Sequence, residues 1–471
     1  MRSEKGVSAH PSHFSLLAAP AVRLTPYVLR FSLFVVPRRE RPIIHPIRGG
    51  CLIAVAALCL APPGAVRAQA AAPSVSVASL GLSPARLERI TPVVQGAVDS
   101  GRVAGAVVLV LRHGQVAYQR AFGWADREAR RPMRTDALFR IASQSKAVTS
   151  VALMTLVEAG QVRLSDPVSR WLPGLAQVRV ATRTDTGLAL LPLKRPITIR
   201  DLLTHTAGIS YGTDSLVRAA YAVEGLGPEA GYGWYTADKS EPICASMDRM
   251  GNLPIVAQPG ERFVYGYATD ILGCVIERVS GVSLAEYFAL RIFRPLRMRD
   301  TWFYPPVTQS GRLATVYSWI DSGLVRAPEG PKGQGDYLEG PRLSYSGGAG
   351  LVSTARDYAR FLQMLANGGS LGSARILGPR TVAIMTADHV DTLYSRNGLG
   401  FGLGFEILED PGRAGQYGNP GRFGWGGAYS TNYWVDPKDG LVCVLMTQLL
   451  PNPGLDLADR LRTLVYQAVE R

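Results

Sequence analysis

The stretch Phe139-Arg140-Ile141-Ala142-Ser143-Gln144-Ser145-Lys146 ends an extended run and opens a strongly apolar one, Ala147 to Ala159, closed by Gly160. Its pattern predicts a strand-like entry, a turn, and a buried helix. Ser143 then lies at a helix N-terminus, where unpaired N–H groups and the helix dipole favour developing negative charge. Residues three apart share a helix face, so the Lys146 amine reaches the Ser143 hydroxyl. A desolvated lysine loses its proton more readily and can act as a base. Lysine is scarce in this arginine-rich chain, and only Lys146 has a serine three residues before it in the part beyond residue 68. The pair reads as a nucleophile with its proton acceptor.

Outward from this segment the elements alternate in type. Ser83-Pro84 opens a helix running to Val98, with Leu87, Ile90, Val93, Val94 and Val98 on one stripe. Gly105 to Arg112 and Gln115 to Gly123 read as strands joined at His113-Gly114. The unbroken apolar run Val107 to Leu111 suits a sheet covered on both faces. From Ser143 onward the pattern turns helical over a long stretch, up to a Pro/Gly-rich boundary at Arg326 to Arg342. Thr354 to Asn367 then reads as a helix, Phe401 to Leu408, Tyr429 to Val435 and Leu441 to Thr447 as strands, and Leu455 to Val469 as a closing helix. The expected organisation is a leader (1–68), a linker (69–83), an α/β domain in two parts (84–141 and 331–471), and a helical domain between them (142–330).

Composition narrows the function. With 47% hydrophobic and 19% charged residues the 471-residue chain is globular. Half of its +14 net charge falls in the first 68 residues, and no basic block is interleaved with aromatics, so nucleic acid is not an expected partner. The run Cys51 to Leu60 is too short to span a membrane. With Arg38, Arg39, Arg41 and Arg48 before it and Val66-Arg67-Ala68 after it, it reads as a secretory signal, predicting a periplasmic or secreted protein. Beyond it, Cys244, Cys274 and Cys443 read as buried thiols; a Cys244–Cys274 disulfide is permitted by export but not indicated. His113, His205 and His389 have no metal-ligand spacing, and no phosphate-binding loop occurs, so neither metal nor cofactor is expected.

A second nucleophile motif competes. Gly208-Ile209-Ser210-Tyr211-Gly212 matches Gly-x-Ser-x-Gly, whose serine needs a strand before it and a helix after it. Here Ile199 to Thr206 reads as a helix leading into a loop, and the one downstream histidine available as base is His389, so Ser143 is preferred.

Taken together with Ile197 to Gly208, Pro259-Gly260-Glu261-Arg262-Phe263-Val264-Tyr265, Gly347 to Leu351 and Trp425 to Tyr429, the segment Phe139 to Lys146 resembles the serine β-lactamase-like superfamily. That group contains class C β-lactamases, D-alanyl-D-alanine peptidases and family VIII carboxylesterases, and the last are the nearest in pattern. The resemblance implies a two-part α+β fold, with an antiparallel sheet flanked by helices and an inserted helical domain. It implies that Ser143 is acylated, that Lys146 and Tyr265 share the proton work, and that the Ser143 and Ala428 N–H groups form the oxyanion hole. The superfamily's Tyr-x-Asn becomes Tyr265-Gly266-Tyr267, with Tyr267 in the Asn place; a literal Tyr417-Gly418-Asn419 lies too late in the order. Its Lys-Thr-Gly becomes Trp425-Gly426-Gly427, so Tyr267, Trp425, Gly426 and Gly427 are expected to contact substrate. The implied activity is cofactor-free cleavage of small carboxylic esters through an acyl-enzyme. A β-lactamase or D-alanyl-D-alanine carboxypeptidase, or a non-catalytic sensor of peptidoglycan, are the alternatives. With no lysine in the third motif, neutral esters are expected over anionic substrates, Arg422 being the nearby cation that could restore an anchor.

Overall fold

In the computed structural model, residues 76–470 are described, apart from 186, 229, 230, 232, 322 and 453. The expected leader and residues 69–75 of the expected linker lie outside the described residues. No helix among the described residues is long and apolar enough to cross a membrane.

An eight-stranded antiparallel sheet organises the fold. Its strands are β1 (Gly105–Arg112), β2 (Gln115–Asp126), β3 (Arg131–Pro132), β4 (Leu399–Phe401), β5 (Glu406–Leu408), β6 (Phe423–Gly427), β7 (Thr431–Asp436) and β8 (Leu441–Met446), in the order β4-β5-β6-β7-β8-β1-β2-β3. The β1–β2 turn places His113 at φ 50° and Gly114 at φ 77°. Two successive left-handed residues match the right-handed twist of a two-residue hairpin. β1 is buried along its whole length. Val107, Leu109 and Leu111 face the main core, while Ala106, Val108 and Val110 face a second core under helices α1 (Ile90–Asp99) and α5 (Leu457–Tyr466). Side chains alternate across a strand, so a continuous apolar run serves two layers at once. The expected helix 84–98 is broken into Pro84–Leu87 and α1, though Leu87, Ile90 and Val94 all remain buried. The expected strand 401–408 is the tight hairpin β4–β5.

Helix α2 (Ser145–Glu158) is the pillar of the helical part. Every residue from Ser145 to Leu156 is buried, so it has no solvent face to pattern. It packs against α3 (Ala268–Ser280), while α4 (Ala355–Ala366) covers β8 and β1. The helical expectation fails at two hairpins, Arg179–Thr184 with Gly187–Pro192, and Tyr317–Ile320 with Gly323–Arg326. In the first, β-branched residues recur at 178, 180, 182 and 184, a period of two that outweighs the leucine content. The buried-thiol reading is also corrected: Cys244 and Cys274 form a disulfide tying helix Ile243–Arg249 to α3, while Cys443 is a buried free thiol. Their pairing depends on helix packing that spacing alone does not reveal.

The connection from Thr198 to Gly212 is anchored at its start by a buried carboxylate. Asp201 accepts from Thr198 N (2.8 Å), Thr198 Oγ1 (2.7 Å) and both terminal nitrogens of Arg195 (2.6 and 2.8 Å). Burial pushes its pKa up, but the hydrogen bonds from Arg195 and Thr198 outweigh this and hold it below the ordinary value. A carboxyl whose folded pKa is depressed stabilises the fold above its unfolded pKa of about 3.9, and that contribution is lost as pH falls through the folded value. Arg195 is half-exposed, which screens its share. We therefore expect Asp201→Asn to cost about 1–3 kcal/mol at pH 7 and less than that at pH 3, measured by urea denaturation at both pH values. An equal cost at both would show that the charge does not matter.

Candidate active site

The nucleophile turn is held in an uncommon backbone state. Ala142, fully buried, sits at φ 41°, and a single turn Ala142–Gln144 leads into α2. A left-handed alanine persists only where surroundings over-determine it. Here Ile141 N–H donates to Leu351 O (3.0 Å), Leu351 N–H donates to Ser145 Oγ (3.0 Å), and Tyr358 from α4 donates to Gln144 O (2.9 Å). From the sheet, Gly427 approaches so closely that an added Cβ would stand 2.3 Å from Ile141 O. Ser143 emerges partly exposed from this clamp.

Behind it, Lys146 is only 2% exposed, and its Nζ makes contacts to Ser143 Oγ (3.2 Å), Tyr211 Oη (2.9 Å) and Gly348 O (2.8 Å). The carbonyl can only accept, so one N–H is committed to Gly348. Gly348 is itself gripped by Asp270 of α3, whose Oδ1 accepts from Gly348 N (3.1 Å) and Ser346 Oγ (2.5 Å). A Cβ at Gly348 would meet Asp270 Oδ2 at 2.5 Å, so only glycine fits. Burial raises the Asp270 pKa. Burial also pushes the Tyr211 hydroxyl well up, with Tyr265, Asp270 and Tyr267 adding to it, which keeps this phenol protonated. His205, buried against the Tyr265 ring at 4.7 Å, is held well below its ordinary pKa by burial and by Lys146, so its imidazole is neutral.

Tyr265 completes the cluster. Its ring centroid lies 4.6 Å from Lys146 Nζ, and its hydroxyl accepts the indole N–H of Trp425 (3.1 Å). The one polar hydrogen of Trp425 is thus directed to Tyr265. Ser143, Tyr211, Tyr265, Trp425, Gly426 and Ala428 all line one cavity of about 570 Å³.

Two sequence-expected contacts are corrected. Tyr267 is fully buried, packs behind Tyr211 at 4.9 Å and accepts from Gly227 N–H, so it shapes the wall without lining the cavity. Gly427 serves close packing on Ile141 and likewise does not line it. Tyr417 is exposed against Tyr466, away from the cluster. Ser210 is buried, accepts from Gly212 N–H, and follows no strand; His389 bonds Ile384 O. Tyr211 is a contact that residue order does not reveal: it sits inside the competing Gly-x-Ser-x-Gly motif, yet its phenol, and not the serine beside it, reaches Lys146. No metal-binding cluster occurs among the described residues.

The family model described as Beta-lactamase matches residues 90–467. The chain is 35% identical over 375 residues to Esterase EstB of Burkholderia gladioli, an alignment covering 76% of this chain and 89% of that protein. Among solved structures, EstCE1, described as a hydrolase with promiscuous acyltransferase activity, aligns at 32% identity and a TM-score of 0.69, covering 81% of this chain and 99% of its own. Simvastatin synthase LovD from Aspergillus terreus aligns at 25% identity and a TM-score of 0.67, covering 82% and 98%. Both the matched family model and the identity to EstB extend over most of the sequence, so the chain belongs to the beta-lactamase family and is a serine hydrolase.

Proposed function

We propose that this enzyme cleaves small carboxylic esters through an acyl-enzyme on Ser143. The contact of Lys146 Nζ with Ser143 Oγ, beside Tyr265 in a cavity lined next to the serine by Tyr211, Tyr265 and Trp425, carries the reading. Lys146, with one N–H held by Gly348, stands at Ser143 Oγ as its proton acceptor. As Oγ bonds to the ester carbon, its proton passes to Nζ, and the carbonyl oxygen takes the negative charge. The N–H groups of Ser143 and Ala428 receive that oxyanion. Tyr265 protonates the departing alkoxide and recovers a proton from Lys146; water then attacks the acyl group by the reverse path. EstB and EstCE1 are named as an esterase and a hydrolase, which supports the substrate class. Export belongs to the same proposal: the Cys244–Cys274 disulfide suits an oxidising compartment, as the leader does.

A fluorophosphonate adduct should map to Ser143 by peptide mass spectrometry, and Ser143→Ala should fold normally yet lose nearly all turnover. An adduct on Ser210 would overturn the assignment.

Lys146→Ala and Tyr265→Phe should each lower kcat on the order of 10²–10⁴-fold, and the double variant should lose little more, because the two act as one proton path. Multiplying losses would argue for independent roles.

Substrate class follows from the third motif. A β-lactam carries its carboxylate beside the scissile bond, where Trp425 stands with its N–H already given to Tyr265. A charge-assisted hydrogen bond contributes roughly 1.5–3 kcal/mol, so its absence weakens such substrates about 10–150-fold. We expect kcat/KM for p-nitrophenyl butyrate to exceed that for nitrocefin on one preparation. The opposite order would favour a β-lactamase.

A further inference from the structure

The same cavity continues beyond the nucleophile. It passes the positions of Gly424 and Gly426 on β6, which put no side chain in its way, and reaches Arg422 and Arg462. Gly426 is not forced by packing in the way Gly427 is: an added Cβ would meet only Thr431 O at 3.2 Å and Asn432 Nδ2 at 3.5 Å. A side chain there would occupy the cavity instead.

The far end is rich in unanswered donors. Arg422 is 97% buried (3% exposed), and its Nη1 has no partner among the described residues. Arg462 Nε and Trp434 Nε1 are buried and unpartnered too. Arg462 lies over the Trp434 ring, 5.5 Å from its centroid. The two guanidiniums converge on one neutral acceptor, Gln416 Oε1, at 2.7 Å from Arg422 Nη2 and 3.2 Å from Arg462 Nη1. Arg462 also pairs with the exposed Asp459, but no carboxylate lies within ion-pair distance of Arg422 among the described residues. Glu406 lines the cavity as well, with its carboxylate accepting the Tyr394 hydroxyl; the Asp436 oxygens take Asn419 and Tyr466. Buried polar groups are normally satisfied, and a buried cation without a counter-charge is costly. These unpartnered N–H donors, two of them on cations, belong to three residues that line this end of the cavity, and N–H donors on cations are the groups that hold a carboxylate.

We infer that Arg422, Arg462 and Trp434 form an anion subsite that receives a carboxylate at the far end of the substrate's acyl or alcohol chain. It rests on the reading of Ser143 as the acylated nucleophile. Gly426 and Arg422 are four residues apart, roughly 13 Å along an extended chain at about 3.3 Å per residue. The carboxylate in question is therefore remote from the ester, unlike that of a β-lactam. The substrate class is the ester of a long-chain dicarboxylic acid, or of a comparably long hydroxy acid, with one acid group free.

The test uses p-nitrophenyl half-esters of succinic, adipic and sebacic acids, each beside its methyl-capped diester. We expect kcat/KM for the sebacate half-ester to exceed that of its capped partner by about 10-fold or more, with no such preference for succinate. Arg422→Met should bring that ratio to about one. Should Arg422→Met fail to fold, Arg462→Met at the partly exposed guanidinium should lower the ratio as well. Calorimetric titration of Ser143→Ala with monomethyl sebacate and dimethyl sebacate reads the subsite without turnover, and only the acid should bind. Equal rates for free and capped esters, or a preference that survives both arginine substitutions, would overturn the subsite while leaving the esterase reading intact. Failure of every ester to turn over, with selective binding of the acid retained, would overturn the esterase reading alone.

Discussion

Everything at the site depends on how one buried amine is held. Lys146 Nζ is fixed by Ser143, Tyr211 and Gly348, three groups drawn from the nucleophile turn, a loop after residue 207, and a glycine loop after residue 345. An amine in a dry site needs partners for its N–H bonds, yet a base must keep a lone pair for the serine. The carbonyl of Gly348 meets the first need without adding a charge. Asp270 lies one step back, bonded to Gly348 N–H and not to the amine itself. The link from Asp270 to the amine thus runs through the Gly348 peptide group, which orients the amine.

The sheet and the helical part meet where this arrangement needs rigidity. Gly427 lets β6 close on the Ile141 carbonyl, and α4 delivers Tyr358 to the Gln144 carbonyl, so the left-handed Ala142 is pinned from both sides. Trp425, two strand positions before Gly427 and on the same face as Tyr433, turns its N–H to Tyr265. The tryptophan of the third motif thus spends its one N–H on Tyr265. The glycines of β6 divide their duties: Gly427 permits close packing, while Gly426 lines the cavity without a side chain.

Much of this was legible in residue order. The Ser143–Lys146 spacing, the apolar run of α2, the two-faced β1 and the order of the three motifs are local or periodic features, and Ser143, Lys146, Tyr265, Trp425, Gly426 and Ala428 line or adjoin one cavity. The hairpin 179–192 was masked by leucines that suit a helix on composition, although the period of its β-branched residues is two.

Residue order by itself determined the Ser143–Lys146 contact, because side chains three residues apart at the start of a helix are brought together by backbone geometry alone. It also determined the layering of the sheet, because the side-chain period of a strand is fixed. Only tertiary structure decided which tyrosine touches the amine, that Tyr267 is buried behind Tyr211, that Cys244 meets Cys274, and that Arg422 and Arg462 share one acceptor. Those contacts join residues 30 to 65 positions apart, or bring Arg422 and a closing helix together on Gln416. Their partners are chosen by how α3, β6 and α5 pack, and no short-range periodicity encodes that choice.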